Sequence, residues 1–288
     1  VIAATFSNDY DRTLSKDLSD LTPYHLFGAG NATFANRISH AFDLRGPSIT
    51  IDTGCSGSLV AVHQACQSLR DYESDMAIAG GATLILSPDH MIVMSAQGIL
   101  NADGRCYSFD SRGTGYGRGE GAGIVLLKRL EDALRDGNPI RAVIRSTASN
   151  QDGRTNGIAL PRQSAQERLA RKAFRKLSFG PEDVQYVEAH ATGTAAGDSA
   201  EAHAIHQVYC KNRDPSCPLV LACVKPNIGH LEAASGVAGL IKTILCMEKG
   251  VISRNLLFEE AKQGLPLQDS SMKVRAATAN LLRRLIMD

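Results

Sequence analysis

The sequence predicts an α/β protein made of two similar halves, and three observations carry this. Short apolar runs of β type at 1–6, 48–51 and 75–81 alternate with segments whose apolar residues recur at helical spacing, a pattern of layered sheets and helices. After the turn Asp136-Gly137-Asn138-Pro139 the same pattern starts again. In each half a strand enters a glycine-containing turn and then a helix, at Cys55 in the first and at His230 in the second.

Taken in order, residues 1–6 end at polar Ser7-Asn8-Asp9 and read as a buried strand, while 7–30 are loop-rich. A helix over 31–40 places Phe34, Ile38 and Phe42 on one face. Ile49 and Ile51 alternate as a buried strand, and Leu59, Val62, Cys66 and Leu69 mark the helix after it. Residues 75–81 form a strand closed by glycines, and 121–128 a strand running into a helix over 130–135. In the second half, 141–146 read as a strand, and Ser164 with Glu167 as the capping box of a helix reaching 177. Strands follow at 184–189 and 219–224, then a helix over 235–249 with Val237, Leu240, Ile241 and Ile244 on one side.

Length and composition narrow the function classes. A chain of 288 residues buries a full core, and its net charge of +1 gives no overall attraction to nucleic acid or another polyanion. No apolar run reaches membrane-spanning length and Val1 opens no signal-peptide pattern, so a soluble, cytoplasmic chain is expected, with no membrane partner. Seven cysteines without paired spacing read as reduced thiols. A first residue other than Met implies a piece of a longer chain.

The chemistry centres on Cys55. The stretch Asp52-Thr53-Gly54-Cys55-Ser56-Gly57-Ser58 turns sharply from strand to helix, a nucleophile elbow carrying sulfur. A thiol at a helix N-terminus feels the positive end of the helix dipole, which favours thiolate and makes an activated nucleophile. Two other patterns are set aside. Gly117, Gly119 and Ala122 mimic a dinucleotide fingerprint but precede a strand instead of opening a helix after one. His203, His206, Cys210 and Cys217 match no zinc spacing, and no metal site is assigned.

Two further segments place histidines at strand ends, where α/β sheets present ligands: Glu188-Ala189-His190-Ala191-Thr192-Gly193-Thr194 and Lys225-Pro226-Asn227-Ile228-Gly229-His230. In these segments together with the cysteine turn, the chain resembles the β-ketoacyl synthases of the thiolase superfamily, most closely the ketosynthase domains of type I polyketide synthases of the fungal reducing kind. Cys55 lies in a version of D-T-A-C-S-S-S-L, His190 in a version of H-G-T-G-T, and Lys225 with His230 in K-x-N-x-G-H, all in the family's order. Gly54, Gly57 and Ala191 are small-for-small departures. The resemblance covers 1 to about 258 and implies a thiolase-like fold layered α-β-α-β-α, truncated at both ends. It divides the chain into an N-terminal half, 1–136, with the nucleophilic cysteine; a C-terminal half, 137–258, with both histidine motifs; and a divergent tail, 259–288.

The resemblance further implies that Cys55 takes an acyl chain as a thioester, and that His190 and His230 assist decarboxylation of a malonyl-type unit and stabilise the enolate that attacks it. Lys225 supports the histidines, and Asp198 and Glu201 resemble the acidic partners that keep this lysine charged and placed. Thr192 and Thr194 match hydroxyls that hold a pantetheine arm. Substrates arrive on the phosphopantetheine of an acyl carrier protein, with no cofactor bound covalently to this chain. Neighbouring synthase domains, an acyltransferase following the ketosynthase, and a homodimer when complete are implied as well, in polyketide or fatty acid biosynthesis.

The family's earlier strands and its later G-F-G-G-T-N-A-H loop, source of the second oxyanion-hole N–H beside that of Cys55, have no counterpart in this sequence. Loss of one such donor costs about a hundredfold or more in rate, so the isolated chain is expected to condense slowly or not at all. The alternatives are a non-catalytic remnant that keeps the fold and a degradative thiolase; the K-x-N-x-G-H setting of His230 argues against the latter.

Overall fold

Short apolar runs become short strands in the computed structural model, which describes residues 1–277, 279 and 280. The chain gathers into two units, each drawn from separate stretches of sequence. Residues 1–97, 118–143 and 231–238 make the first; 98–117, 144–230 and the chain from 239 make the second. Residues 98–117 thus belong with the second unit although they lie within 1–136, and 231–238 with the first although they lie within 137–258.

The first unit runs β1 (Ile2–Ala4), α1 (Asp9–Leu14), α2 (His25–Ala29), α3 (Ala32–Ala41), β2 (Ile49–Ile51), α4 (Gly57–Arg70), β3 (Met76–Thr83), α5 (Asp89–Ala96), β4 (Gly121–Lys128) and α6 (Leu130–Arg135). Its sheet has the order β2-β1-β3-β4, with β1 parallel to both neighbours and β4 antiparallel to β3 over its whole length. Ile2, Ala3 and Ala4 are all buried, which suits a central strand of small and β-branched residues. Against it lies α4, burying Ala61, Val62, Ala65, Cys66 and Leu69. A Cβ on Gly57 would come 2.8 Å from the Ala4 Cβ, so the helix can start this close to β1 only with glycine there.

Several expectations change in this unit. The stretch 7–30 carries α1, a 3-10 turn and α2 instead of plain loop, tied down by buried Asp9, whose carboxylate accepts the N–H groups of Leu86 and Ser87. On α3 the buried residues are Ala35 and Ser39, whereas Phe42 is exposed, because the small side chains bring the helix to the strand, with Ala35 N donating to Thr50 Oγ1 at 3.2 Å. Strand β2 is an edge, and Ile49 is 43% exposed; Leu59 on α4 is likewise 49% exposed.

The second unit holds α7 (Gln163–Phe174), β5 (Tyr186–Glu188), α8 (Ala195–Ile205) continued by a π turn (His206–Cys210), β6 (Leu219–Ala222), α9 (Lys225–Ile228), most of α10 (Ser235–Lys249), β7 (Val251–Ile252), β8 (Met272–Val274) and β9 (Ala279–Asn280). Strands β5, β6 and β8 form a parallel sheet in that order, and β7 pairs with β9 antiparallel. Phe109, Ala189, Ala191, Ala202, Ile205, Leu219, Leu221 and Met272 build its core. The stretch called a divergent tail therefore supplies a core strand: β8 pairs with β6, and Met272 is wholly buried. The rest of that tail, 278 and 281–288, lies outside the described residues.

Two further readings are corrected. Residues 141–146 alternate between exposed and half-buried yet form no strand, since no ladder partner stands beside them among the described residues. Ser164 and Glu167 form no capping box: the helix begins after extended Arg162, Ser164 sits inside the first turn, and Glu167 accepts from Gln163.

Candidate active site

In the first unit the elbow is built by hydrogen bonds local to the turn. Gly54 takes φ +60°, its N–H donates to Asp52 Oδ1 at 3.0 Å, and Gly57 N–H donates to Gly54 O at 3.0 Å. Ser56 is the N-cap of α4, so half-buried Cys55 stands immediately ahead of the helix. Its Sγ donates to Glu232 Oε2 at 3.6 Å, and the other oxygen of Glu232 receives Arg118 Nε at 3.2 Å. Both side chains of this ion pair are 1% exposed, and Glu232 holds φ +43°, a left-handed backbone that a branched or charged residue takes only when its surroundings enforce it.

In the second unit the parallel pair β5 and β6 carries both histidine segments on its C-terminal ends. Ala189 N–H donates to Ala222 O at 2.9 Å, so His190 leaves the sheet beside the start of the Lys225–His230 turn. The His190 and His230 rings meet edge to face, 5.4 Å between centroids at 87°. His230 is wholly buried, follows Gly229 at φ +77°, donates its N–H to Gly117 O at 2.8 Å, and packs 4.7 Å from the Tyr116 ring.

Crowding by protein atoms, reinforced by the charge of Lys225, pushes the His190 pKa down to about 3. By surface area the residue nonetheless keeps an exposed face, where solvent offsets part of that desolvation. The direction is what matters, a neutral imidazole at pH 7. Lys225 is 4% exposed, and its Nζ lies 3.9 Å from Cys223 Sγ, which in turn donates to His190 O at 3.5 Å.

Asp198 and Glu201 bind the histidine loop itself instead of pairing directly with Lys225. Glu201 spans two N–H donors, His190 to Oε1 and Ala191 to Oε2, both at 2.7 Å. Asp198 accepts from Phe109 at 2.8 Å and from Gly193 at 3.0 Å. Burial raises the pKa of both, Asp198 to about 6; Lys225 acts on Glu201 only through its field, which opposes that rise. This clamp explains how Ala191 tolerates φ +30°: Glu201 holds its N–H and Ser108 Oγ holds its carbonyl. Thr192 is buried, and its hydroxyl pairs with that of Thr194 at 3.0 Å.

The glycine run that mimicked a nucleotide fingerprint has a packing role. A Cβ on Gly113 would fall 2.7 Å from Gly193 O, and one on Gly117 would fall 2.0 Å from Gly104 O. The His190 loop can therefore approach only a bare backbone at Gly113, while Gly117 lets the backbone at 104 and 105 pack against it. The donors once weighed as a metal cluster turn to separate partners: His203 to Ser199 O, His206 to Asp269, and Cys210 to Ser271 O.

Four residues with contacts to these segments carried no role in the sequence reading: Glu232 and Arg118 at Cys55, and Glu188 and Lys242 behind the histidines. Glu188 stands two residues before His190, which was the available signal. Glu232 stands two residues after His230, an equal signal, while Arg118 and Lys242 announce themselves only through partners remote in sequence.

Comparisons with known proteins identify the family of the chain. The sequence model described as "Beta-ketoacyl synthase, N-terminal domain" matches residues 1–133, and that described as "Beta-ketoacyl synthase, C-terminal domain" matches 141–259. A highly reducing polyketide synthase of Stachybotrys chartarum is 52% identical over 94% of this chain and 11% of its own length. One of Sordaria araneosa is 53% identical over 95% of this chain and 9% of its own. The chain thus spans about a tenth of the curated relatives it matches. Among solved structures, a ketosynthase from module 6 of the bacillaene synthase of Bacillus subtilis superposes with a TM-score of 0.90 at 36% identity, covering 98% of this chain and 49% of that one.

Proposed function

Because the chain belongs to the β-ketoacyl synthase family and has its thiolase-like fold, we propose that it is the condensing part of a polyketide synthase, acting by decarboxylative Claisen condensation. The observation that carries this reading is the edge-to-face pairing of His190 and His230 at the ends of parallel strands, with Lys225 buried behind them. Two imidazoles set this close suit one oxygen that becomes negative during reaction. In the neutral form each offers an N–H donor without bringing a proton that must first be removed.

The proposed sequence begins when the Cys55 thiolate attacks an acyl thioester, expelling the donor as its thiolate and keeping the acyl group. A malonyl-type unit then enters on the phosphopantetheine arm of an acyl carrier protein, with Thr192 and Thr194 assigned to that arm. Its carboxylate-to-Cα bond breaks, carbon dioxide leaves, and the electron pair becomes an enolate whose oxygen His190 and His230 stabilise. The enolate carbon attacks the acyl carbonyl, the carbon–sulfur bond breaks, and Cys55 regains its thiolate. The β-ketoacyl product stays on the carrier.

The relatives are named highly reducing polyketide synthases, which supports polyketide over fatty acid chemistry, and their length supports neighbouring synthase domains as partners. A homodimer is part of the same reading. The test uses labelled malonyl-carrier protein and an acyl donor with the full-length protein. Cys55→Ala should abolish ketoacyl product. His190→Ala and His230→Ala should each cut carbon dioxide release about a hundredfold or more while leaving acylation of Cys55 in place. Wild-type protein that folds yet never takes an acyl group would instead identify a non-catalytic remnant.

A further inference from the structure

Glu188 occupies a junction in the second unit. It ends β5, two residues before His190, and lies 11% exposed against α10. Its Oε1 accepts the N–H of Val224 at 2.6 Å. Val224 is the N-cap of α9, the turn that delivers Lys225 and then His230, and its N–H has no place in the β5–β6 ladder. Its Oε2 receives the Tyr186 hydroxyl and, at 2.6 Å, the Lys242 ammonium. Lys242 is 13% exposed, also donates to Tyr186 Oη at 2.5 Å, and stands 5.2 Å over the Tyr186 ring. Gly239, one turn earlier on α10, makes the space: a Cβ there would lie 3.1 Å from Glu188 Cγ.

We infer that Glu188, held by Lys242, is a positioning residue that locks the His190 strand end to the Lys225–His230 turn and so sets the distance between the two imidazoles. The inference rests on the reading of those histidines as enolate-stabilising groups. Three donors converge on this carboxylate, one at Oε1 and two at Oε2. An amide cannot replace it, because whichever way Gln is placed its NH₂ meets a donor. Without Lys242 the carboxylate would remain buried with its cation gone, and the cheapest relief is to turn away from Val224. Either change frees the turn while the ladder beneath it stays.

The experiment compares Glu188→Gln, Lys242→Met and Lys242→Arg in the full-length protein, with two readouts. The first is carbon dioxide release from malonyl-carrier protein beside acylation of Cys55. Glu188→Gln and Lys242→Met should lower kcat for release about tenfold to a hundredfold, with KM and Cys55 acylation unchanged, and Lys242→Arg should lose less than Lys242→Met. The second is deuterium exchange by mass spectrometry: Glu188→Gln should speed exchange over 224–230 and leave 219–222 at the wild-type rate. Unchanged kcat, or exchange that rises equally in both segments, would overturn the inference. If wild-type protein releases no carbon dioxide, the condensation reading fails, and the exchange result alone decides the latch: selective loosening of 224–230 supports it, and uniform or absent loosening overturns it.

Discussion

Burial lifts the Asp198 pKa to about 6 even though two backbone N–H groups favour its anion. In the unfolded chain the same carboxyl titrates near its ordinary value of about 3.9. Between those values the folded state holds a proton that the unfolded state lacks. Its contribution to stability is therefore fully present below about pH 4 and lost as pH rises through 6, an effect of about 3 kcal/mol at most. Asp198→Asn removes this titration. Urea unfolding at pH 4.5 and 7.5 should show the wild type losing more stability than the variant as pH rises, and parallel profiles would show that Asp198 titrates normally. His190 runs the other way: with its folded pKa below the unfolded one, its contribution is present above about pH 6.5 and lost as pH falls toward 3. The comparison with Asp198→Asn separates the two.

At the scale of elements, α4 sets the reactivity of Cys55. The thiol meets the helix at its N-terminal end, where the dipole favours thiolate against the opposing charge of Glu232, while Cys66, Cys106, Cys210 and Cys223 are buried and their pKa values raised, that of Cys106 to about 11. Iodoacetamide at pH 7 should therefore label Cys55 first, with exposed Cys217 its one real competitor among the seven thiols, as read by peptide mass spectrometry. Faster labelling of Cys217 would show that the dipole does not govern. Elements of this kind were legible where their determinants are local: β4, α6 and α10 fall on the stretches 121–128, 130–135 and 235–249. Alternation at 141–146 promised a strand, but a strand exists only with a ladder partner, which periodicity does not supply. Phe34 and Phe42 outweighed Ala35 and Ser39 in the pattern, although the small pair allows the closer approach to Thr50. The two histidines and Cys55 stood out because strand ends and turn residues flank them. Glu188 and Lys242 did not, since their meeting depends on how β5 and α10 pack.

Across the first unit, the sheet keeps an apolar side open. Ile124 and Leu126 on β4 are 50% and 65% exposed and neighbour Met76, 52% exposed, and half-buried Ile78 on β3. A row of this kind is a binding surface or an association liability. The 288-residue chain alone should enhance the fluorescence of anilinonaphthalene sulfonate and associate as concentration rises. Ile124→Ser with Leu126→Lys should reduce both, and a wild-type chain silent in the dye assay would contradict the exposed face.

The composition of the units also fixes a timetable. Residues 1–97 and 118–143 of the first unit leave a ribosome well before 231–238, whose Val237 N–H closes on Ser58 Oγ at 3.0 Å and whose Ala233 packs at Gly57. At ordinary elongation rates that interval is on the order of ten seconds. Until then the small-residue surface at Gly57 and Gly81 lacks the cover that Ala233 supplies in the finished unit.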